Sequence, residues 1–112
     1  MNFVHLEREL RLYSTPDGKQ PFTEWIEAIR DPKSKDIILA RLARLRTGNF
    51  GDVKSVGGGV SELRIQFGPG FRVYFALDGL RVVILLCGGD KSTQRRDIAK
   101  AKAFWIHLKR EK

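Results

Sequence analysis

Residues 62–75 read ELRIQFGPGFRVYF. Apolar and polar residues alternate on both sides of Gly68-Pro69-Gly70, the signature of two half-buried strands joined by a tight connection. In the first run Leu63, Ile65 and Phe67 share one face while Glu62, Arg64 and Gln66 share the other. In the second, Phe71, Val73, Phe75 and Leu77 face the core, and Arg72, Tyr74 and Ala76 face away from it. A three-residue loop that makes Phe67 and Phe71 partners sets Gln66 opposite Arg72 and Arg64 opposite Tyr74. The two arginines then become diagonal neighbours, roughly 7–8 Å apart. Like charges this close repel, so an anion belongs between them. Glu62 with a carboxylate from a neighbouring helix would serve, and so would a bound phosphate, whose oxygens match guanidinium forks.

Downstream, Asp78-Gly79 is a hairpin signal, and pairing Leu77 with Leu80 puts Arg81, Val83 and Leu85 on the arginine face. Leu80, Val82, Ile84 and Leu86 then point to the core. A strand apolar on both faces is central or covered, so the arginine face is expected to be concave and partly covered. The stretch LLCGGDKSTQRRDIAKA (85–101) continues from it. Gly88-Gly89 is read as a sharp turn off the strand, and Asp90-Lys91-Ser92 as the opening of a last helix with Ile98, Ala101, Trp105 and Leu108 on one stripe. A helix start carrying Lys91, Arg95 and Arg96 favours anions.

Upstream, HLERELRLY (5–13) alternates imperfectly and predicts a first strand. From Pro21, the residues Phe22, Trp25, Ile26 and Ile29 fall on one helical face. Asp31-Pro32 opens a second helix with Ile38, Leu42 and Leu45 inward and Gly48 as its stop, making an αα-hairpin. Residues 47–59 are Gly-rich without periodicity and read as a loop that includes Lys54. The resulting order, β-α-α-β-β-β-α, predicts one α+β domain over residues 1–112 with an antiparallel sheet.

Net charge is +8, from 21 Lys and Arg against 13 Asp and Glu, and the excess falls after residue 32, which favours a polyanionic partner. His5 and His107 stand far apart and Cys87 is the lone cysteine, so no metal centre or cofactor is expected. The longest apolar run, Val82–Cys87, is too short to span a bilayer. No signal-peptide pattern is read, and the expected location is the cytoplasm. What remains is a basic cleft: Lys54, Arg64, Arg72 and Lys91, with Glu62 and Asp97 beside them. It can bind RNA and, in principle, cleave it without metal. The 2′-hydroxyl attacks the adjacent phosphorus and fixed cations stabilise the added charge.

The order βααβββα with ELRIQFGPGFRVYF and LLCGGDKSTQRRDIAKA resembles the RelE/ParE toxin superfamily, and looks closest to its HigB-like, phage-derived addiction module killer protein branch. The resemblance runs from about residue 8 to Trp105. It implies the toxin of a type II toxin–antitoxin pair, which inhibits translation by cleaving mRNA on the ribosome. It also implies a cognate helix-turn-helix antitoxin, with operator DNA bound only through the complex. By resemblance Arg72 sits at the phosphate-binding arginine, Arg64 near a functional lysine and Lys91 at another catalytic basic position. Lys54, Arg81, Arg95 and Arg96 are expected RNA contacts, with Tyr74, Glu62 and Asp97 in support, Asp97 orienting Lys91. Two positions depart from the pattern: Asp97 stands where the best-known ribonucleases carry a base-stacking tyrosine, and Glu62 replaces a basic residue. The ParE branch poisons DNA gyrase instead. Three readings therefore stand: ribosome-dependent endoribonuclease, gyrase inhibitor, and non-catalytic RNA-binding module.

Overall fold

The computed structural model describes residues 7–111. Their elements run β1 (Glu9–Leu12), α1 (Pro21–Ala28), α2 (Pro32–Arg46), β2 (Val53–Gly57), β3 (Val60–Ile65), β4 (Phe71–Asp78) and β5 (Val82–Asp90). A 3-10 turn (Lys91–Thr93) then leads into α3 (Gln94–Arg110). The five strands form one sheet in the order β1-β5-β4-β3-β2. All neighbours are antiparallel except β1, which lies parallel to β5. The α+β class and the succession of two helices before the meander are as predicted. Of the expected first strand, residues 5 and 6 lie outside the described range.

Each helix starts where its chemistry allows. Pro21 and Pro32 occupy first-turn positions that have no amide to lose. Asp31 caps α2 by accepting from Lys33 N (3.3 Å) and Ser34 Oγ (2.8 Å). The two helical layers bury different faces of the sheet. On one side Phe22, Ile38, Leu42 and Leu45 pack on Leu63, Ile65, Phe71, Val73, Phe75, Val83 and Leu85. On the other, Ala101 and Trp105 pack on Val60, Tyr74, Ala76, Ile84, Leu86 and Cys87. Among the described residues no helix is long and apolar enough to cross a membrane.

Four details depart from the sequence reading. The expected loop over 47–59 contains edge strand β2, whose pairing with β3 is turned by Gly58-Gly59 at φ +63° and +83°. Edge strands expose both faces at their rim, so Lys54 and Ser55 left no apolar rhythm to read. The β3–β4 loop spans five residues rather than three. Its register is Ile65↔Phe71, which sets Arg64 directly opposite Arg72 and Glu62 opposite Tyr74. In the β4–β5 hairpin Leu77 pairs with Val83, not Leu80. That odd-numbered slip exchanges the faces of β5, so Val83 and Leu85 join the α1–α2 core and Leu80 is 75% exposed in the turn. A run apolar on both faces cannot fix its own phase. Lastly, Gly88 and Gly89 continue β5 instead of turning off it. Neither could carry a side chain: a Cβ at Gly88 would sit 2.1 Å from the Trp25 ring, and one at Gly89 1.8 Å from the Asp97 carboxylate.

Candidate functional site

The pairing of β2, β3, β4 and β5 sets two adjacent cross-strand rows on the α3 face. One row holds Lys54, Glu62, Tyr74 and Cys87; the next holds Arg64, Arg72 and Gly89. Glu62 is fully buried at the centre. Its carboxylate accepts from Gln94 Nε2 at 2.8 Å, Tyr74 OH at 3.0 Å and Arg64 Nε at 3.1 Å, with Arg72 Nε 3.9 Å away. Burial pushes this carboxyl up. The donors from Gln94, Tyr74 and Arg64 and the Arg72 charge outweigh it and hold Glu62 below its ordinary value. Tyr74 moves the other way, driven far up by burial and then by the Glu62 carboxylate. Its hydroxyl stays protonated and is a donor, not a base.

Arg72 is 6% exposed, far more buried than a residue on a solvated face. Its Nη1 donates to Gly70 O and Phe71 O, both at 3.2 Å. Its Nε is buried without a hydrogen-bond partner among the described residues. Lys91 N donates to Gly70 O at 3.1 Å, tying the 3-10 turn to the Gly-Pro-Gly loop. Gly70 itself has φ +80°, and its backbone lies against the Lys91 stem. The result is a cavity of about 490 Å³ lined by Arg64, Arg72, Lys91, Gln66, Phe67 and the Gly68–Gly70 loop. Among the described residues three cations meet there and no carboxylate lines it; the compensating Glu62 lies behind. Such a site suits a compact anion with several acceptor oxygens, such as a phosphodiester.

Arg64, Arg72 and Lys91 thus come together in space. Lys54 lies on β2 rather than in a loop, exposed and in register with Glu62, one strand out from Arg64. Arg95 and Arg96 are exposed on the first turn of α3, lining a shallow depression beyond Lys91 rather than the cavity. Arg81 sits in the β4–β5 turn, roughly 20 Å along the strand from Arg72 at ~3.3 Å per residue. The slip in that hairpin removes it from the arginine face. Asp97 does not orient Lys91. Helical side chains lean toward the N-terminus, and its carboxylate takes the Thr93 hydroxyl at 2.5 Å while packed over Gly89. The expected departure from the tyrosine pattern is therefore a buried brace of the β5–α3 junction.

Three contributors were not anticipated. Gln94 closes the Glu62 cluster across a separation of 32 residues, and nothing local in the sequence marks it. Arg41 of α2 supports β3 from behind by donating to Arg64 O at 3.2 Å. Gly70 was read as a turn residue, whereas its carbonyl serves both Arg72 and Lys91. His107 pairs with Tyr13 OH at 3.1 Å and Glu111 at 3.3 Å on the far part of α3, away from the cavity.

Residues 24–104 match the family described as phage derived protein Gp49-like (DUF891). The chain belongs to this Gp49-like family. The family is associated with addiction-module killer proteins. An uncharacterized protein of Haemophilus influenzae (strain ATCC 51907 / DSM 11121 / KW20 / Rd) is 52% identical over 81 residues, which cover 72% of this chain and 82% of that protein. The matched span runs from α1 to most of α3, and it holds every residue of the cationic cavity.

Proposed function

We propose that this Gp49-like protein is the toxin of a type II toxin–antitoxin pair, of the HigB-like branch of the RelE/ParE superfamily. In this reading it acts in the cytoplasm as a metal-independent, ribosome-dependent mRNA endoribonuclease. The observation that carries it is the carboxylate-free cavity in which Arg64, Arg72 and Lys91 converge. Arg72 and Arg64 hold the non-bridging oxygens of the scissile phosphate. The 2′ oxygen bonds to phosphorus and releases its proton to water, and the bond to the 5′ oxygen breaks. Lys91 Nζ protonates that leaving oxygen and recovers a proton from solvent. Glu62 is engaged by three donors and Tyr74 stays protonated, so neither is a free base. The rate gain then rests on charge neutralisation and on in-line positioning, which together can supply ~7–11 kcal/mol when a second body such as the ribosome bends the RNA. A cognate antitoxin with an acidic or amphipathic segment would mask the +8 surface.

The test is induction in a bacterial host. Methionine incorporation should fall before thymidine incorporation, and mRNA fragments should carry 5′-hydroxyl ends. Intact mRNA with early loss of thymidine incorporation would move the target to gyrase. Growth arrest with neither would leave a non-catalytic RNA-binding module.

A further inference from the structure

A second cleft lies at the other edge of the same junction. β1 pairs with β5 only as far as Leu12↔Leu85, with Tyr13 N still reaching Leu85 O at 3.0 Å. The last residues of β5 therefore have no strand on their outer side among the described residues. There α1 and α3 stand apart on opposite faces of the sheet and leave a cleft of about 580 Å³. Trp25 walls it on the α1 side, Phe104 on the α3 side, and Gly88 and Gly89 form its floor. Lys19, Arg96 and Lys100 are exposed at its rim. Two of its three carboxylates are already engaged: Asp90 by Ser92 N (2.8 Å) and Asp97 by Thr93.

Backbone alternation shows what the floor offers. Lys91 N donates inward to Gly70 O, whereas Asp90 N turns outward to Thr93 Oγ1 at 3.2 Å. Two residues back, Gly88 shares the outward phase, so its N–H and C=O face the cleft as an adjacent donor and acceptor. A flat ring entering at this sheet edge would meet that pair with its edge and lie between Trp25 and Phe104, the latter backed by Tyr13 stacked on it at 4.9 Å. Nucleobases have this shape and this edge chemistry, and they stack on aromatic side chains with little sequence bias.

We infer that the cleft between Trp25 and Phe104 is a nucleobase subsite, which takes a base near the cleaved phosphate while Lys19, Arg96 and Lys100 meet its own phosphates. The inference rests on the RNA reading of the cationic cavity, which lies about two strand spacings away, roughly 10 Å. Reading a base through Gly88 at a fixed offset from the cut would give cleavage a sequence preference.

Trp25 is its own reporter. In a Trp105→Phe background it is the remaining tryptophan of the chain. Titration with AMP, GMP, CMP and UMP should quench its fluorescence saturably for at least one nucleotide. Phe104→Leu and Lys100→Ala should each weaken that binding at least tenfold, while Lys91→Ala leaves it within twofold. Absence of saturable quenching by all four overturns the inference, as does equal binding of ribose 5-phosphate, which would mark a simple anion site. Failure is separable from failure of the nuclease reading. Cleavage of mRNA without nucleotide quenching removes the subsite alone; quenching without cleavage removes the nuclease and keeps the subsite. In cells, Phe104→Leu should alter the bases flanking mapped cut sites, and an unchanged pattern counts against the subsite.

Discussion

Glu62→Gln tests whether the buried carboxylate holds the arginine pair together. The substitution keeps the shape and one carbonyl acceptor but removes the charge that lies 3.1 Å from Arg64 Nε and 3.9 Å from Arg72 Nε. Removing one partner of a buried ion pair costs ~3–5 kcal/mol. Arg64 keeps 29% of its side chain in solvent, which screens its share, whereas Arg72 keeps 8%. The lower end, about 3 kcal/mol, is the expected loss. At roughly 4 °C per kcal/mol for a domain of this size, Tm should fall on the order of 12 °C. The pH dependence supplies a second reading. The folded state holds Glu62 below its ordinary value, so its contribution is complete above the unfolded pKa, about 4.3, and fades as pH drops through the lower folded value. Urea denaturation from pH 7 to pH 3 should show that acid limb in the wild type and a flatter one in the variant. Combining Glu62→Gln with Arg64→Gln should recover part of the loss, because the like-charge pair is then gone. A loss below about 1 kcal/mol with an unchanged acid limb would refute the clamp.

Lys91→Ala should leave urea stability within about 0.5 kcal/mol, since the side chain is exposed, yet reduce RNA cleavage on the order of 10²-fold; a folded and fully toxic variant would remove Lys91 from the chemistry. Gly89→Ala forces a methyl into the Asp97 carboxylate and should cost about 3 kcal/mol or more, checked by the urea midpoint. Cys87 is buried, and burial, followed by the Asp97 charge, pushes its thiol up to about 12. It should resist a thiol reagent at pH 8 in the native protein and react once unfolded; rapid native labelling would contradict its placement.

Periodicity made the helices and the three-strand meander legible, because Phe22, Ile38, Leu42 and Ala101 each repeat with the period of the element that buries them. The grouping of Arg64, Arg72 and Lys91 was legible too, since strand alternation alone sets the arginines on one face. Register was not. The Gly68-Pro69-Gly70 loop recruits Gln66 and Phe67, and the run from Val82 is apolar on both faces, so neither hairpin announces which residues pair. The burial of Arg72 and the brace formed by Asp97 depend on α3 closing over the sheet, a contact between residues far apart in the chain. Edge strand β2 lacked any apolar rhythm.

The parallel seam between β1 and β5 has a consequence for the chain as it is made. Glu9–Leu12 find their partners in Val82–Leu85, about seventy residues later. Until β5 exists, β1 has only the solvent on that side, and closing so long a loop delays its pairing. Lys91 and Gln94 come later still, and without Gln94 the Glu62 carboxylate lacks its shortest donor. A chain that stops before Gln94 therefore lacks part of the cluster around Glu62. If the protein is the toxin proposed above, the cell that synthesises it meets a complete site only once β5 has paired and Gln94 has been added.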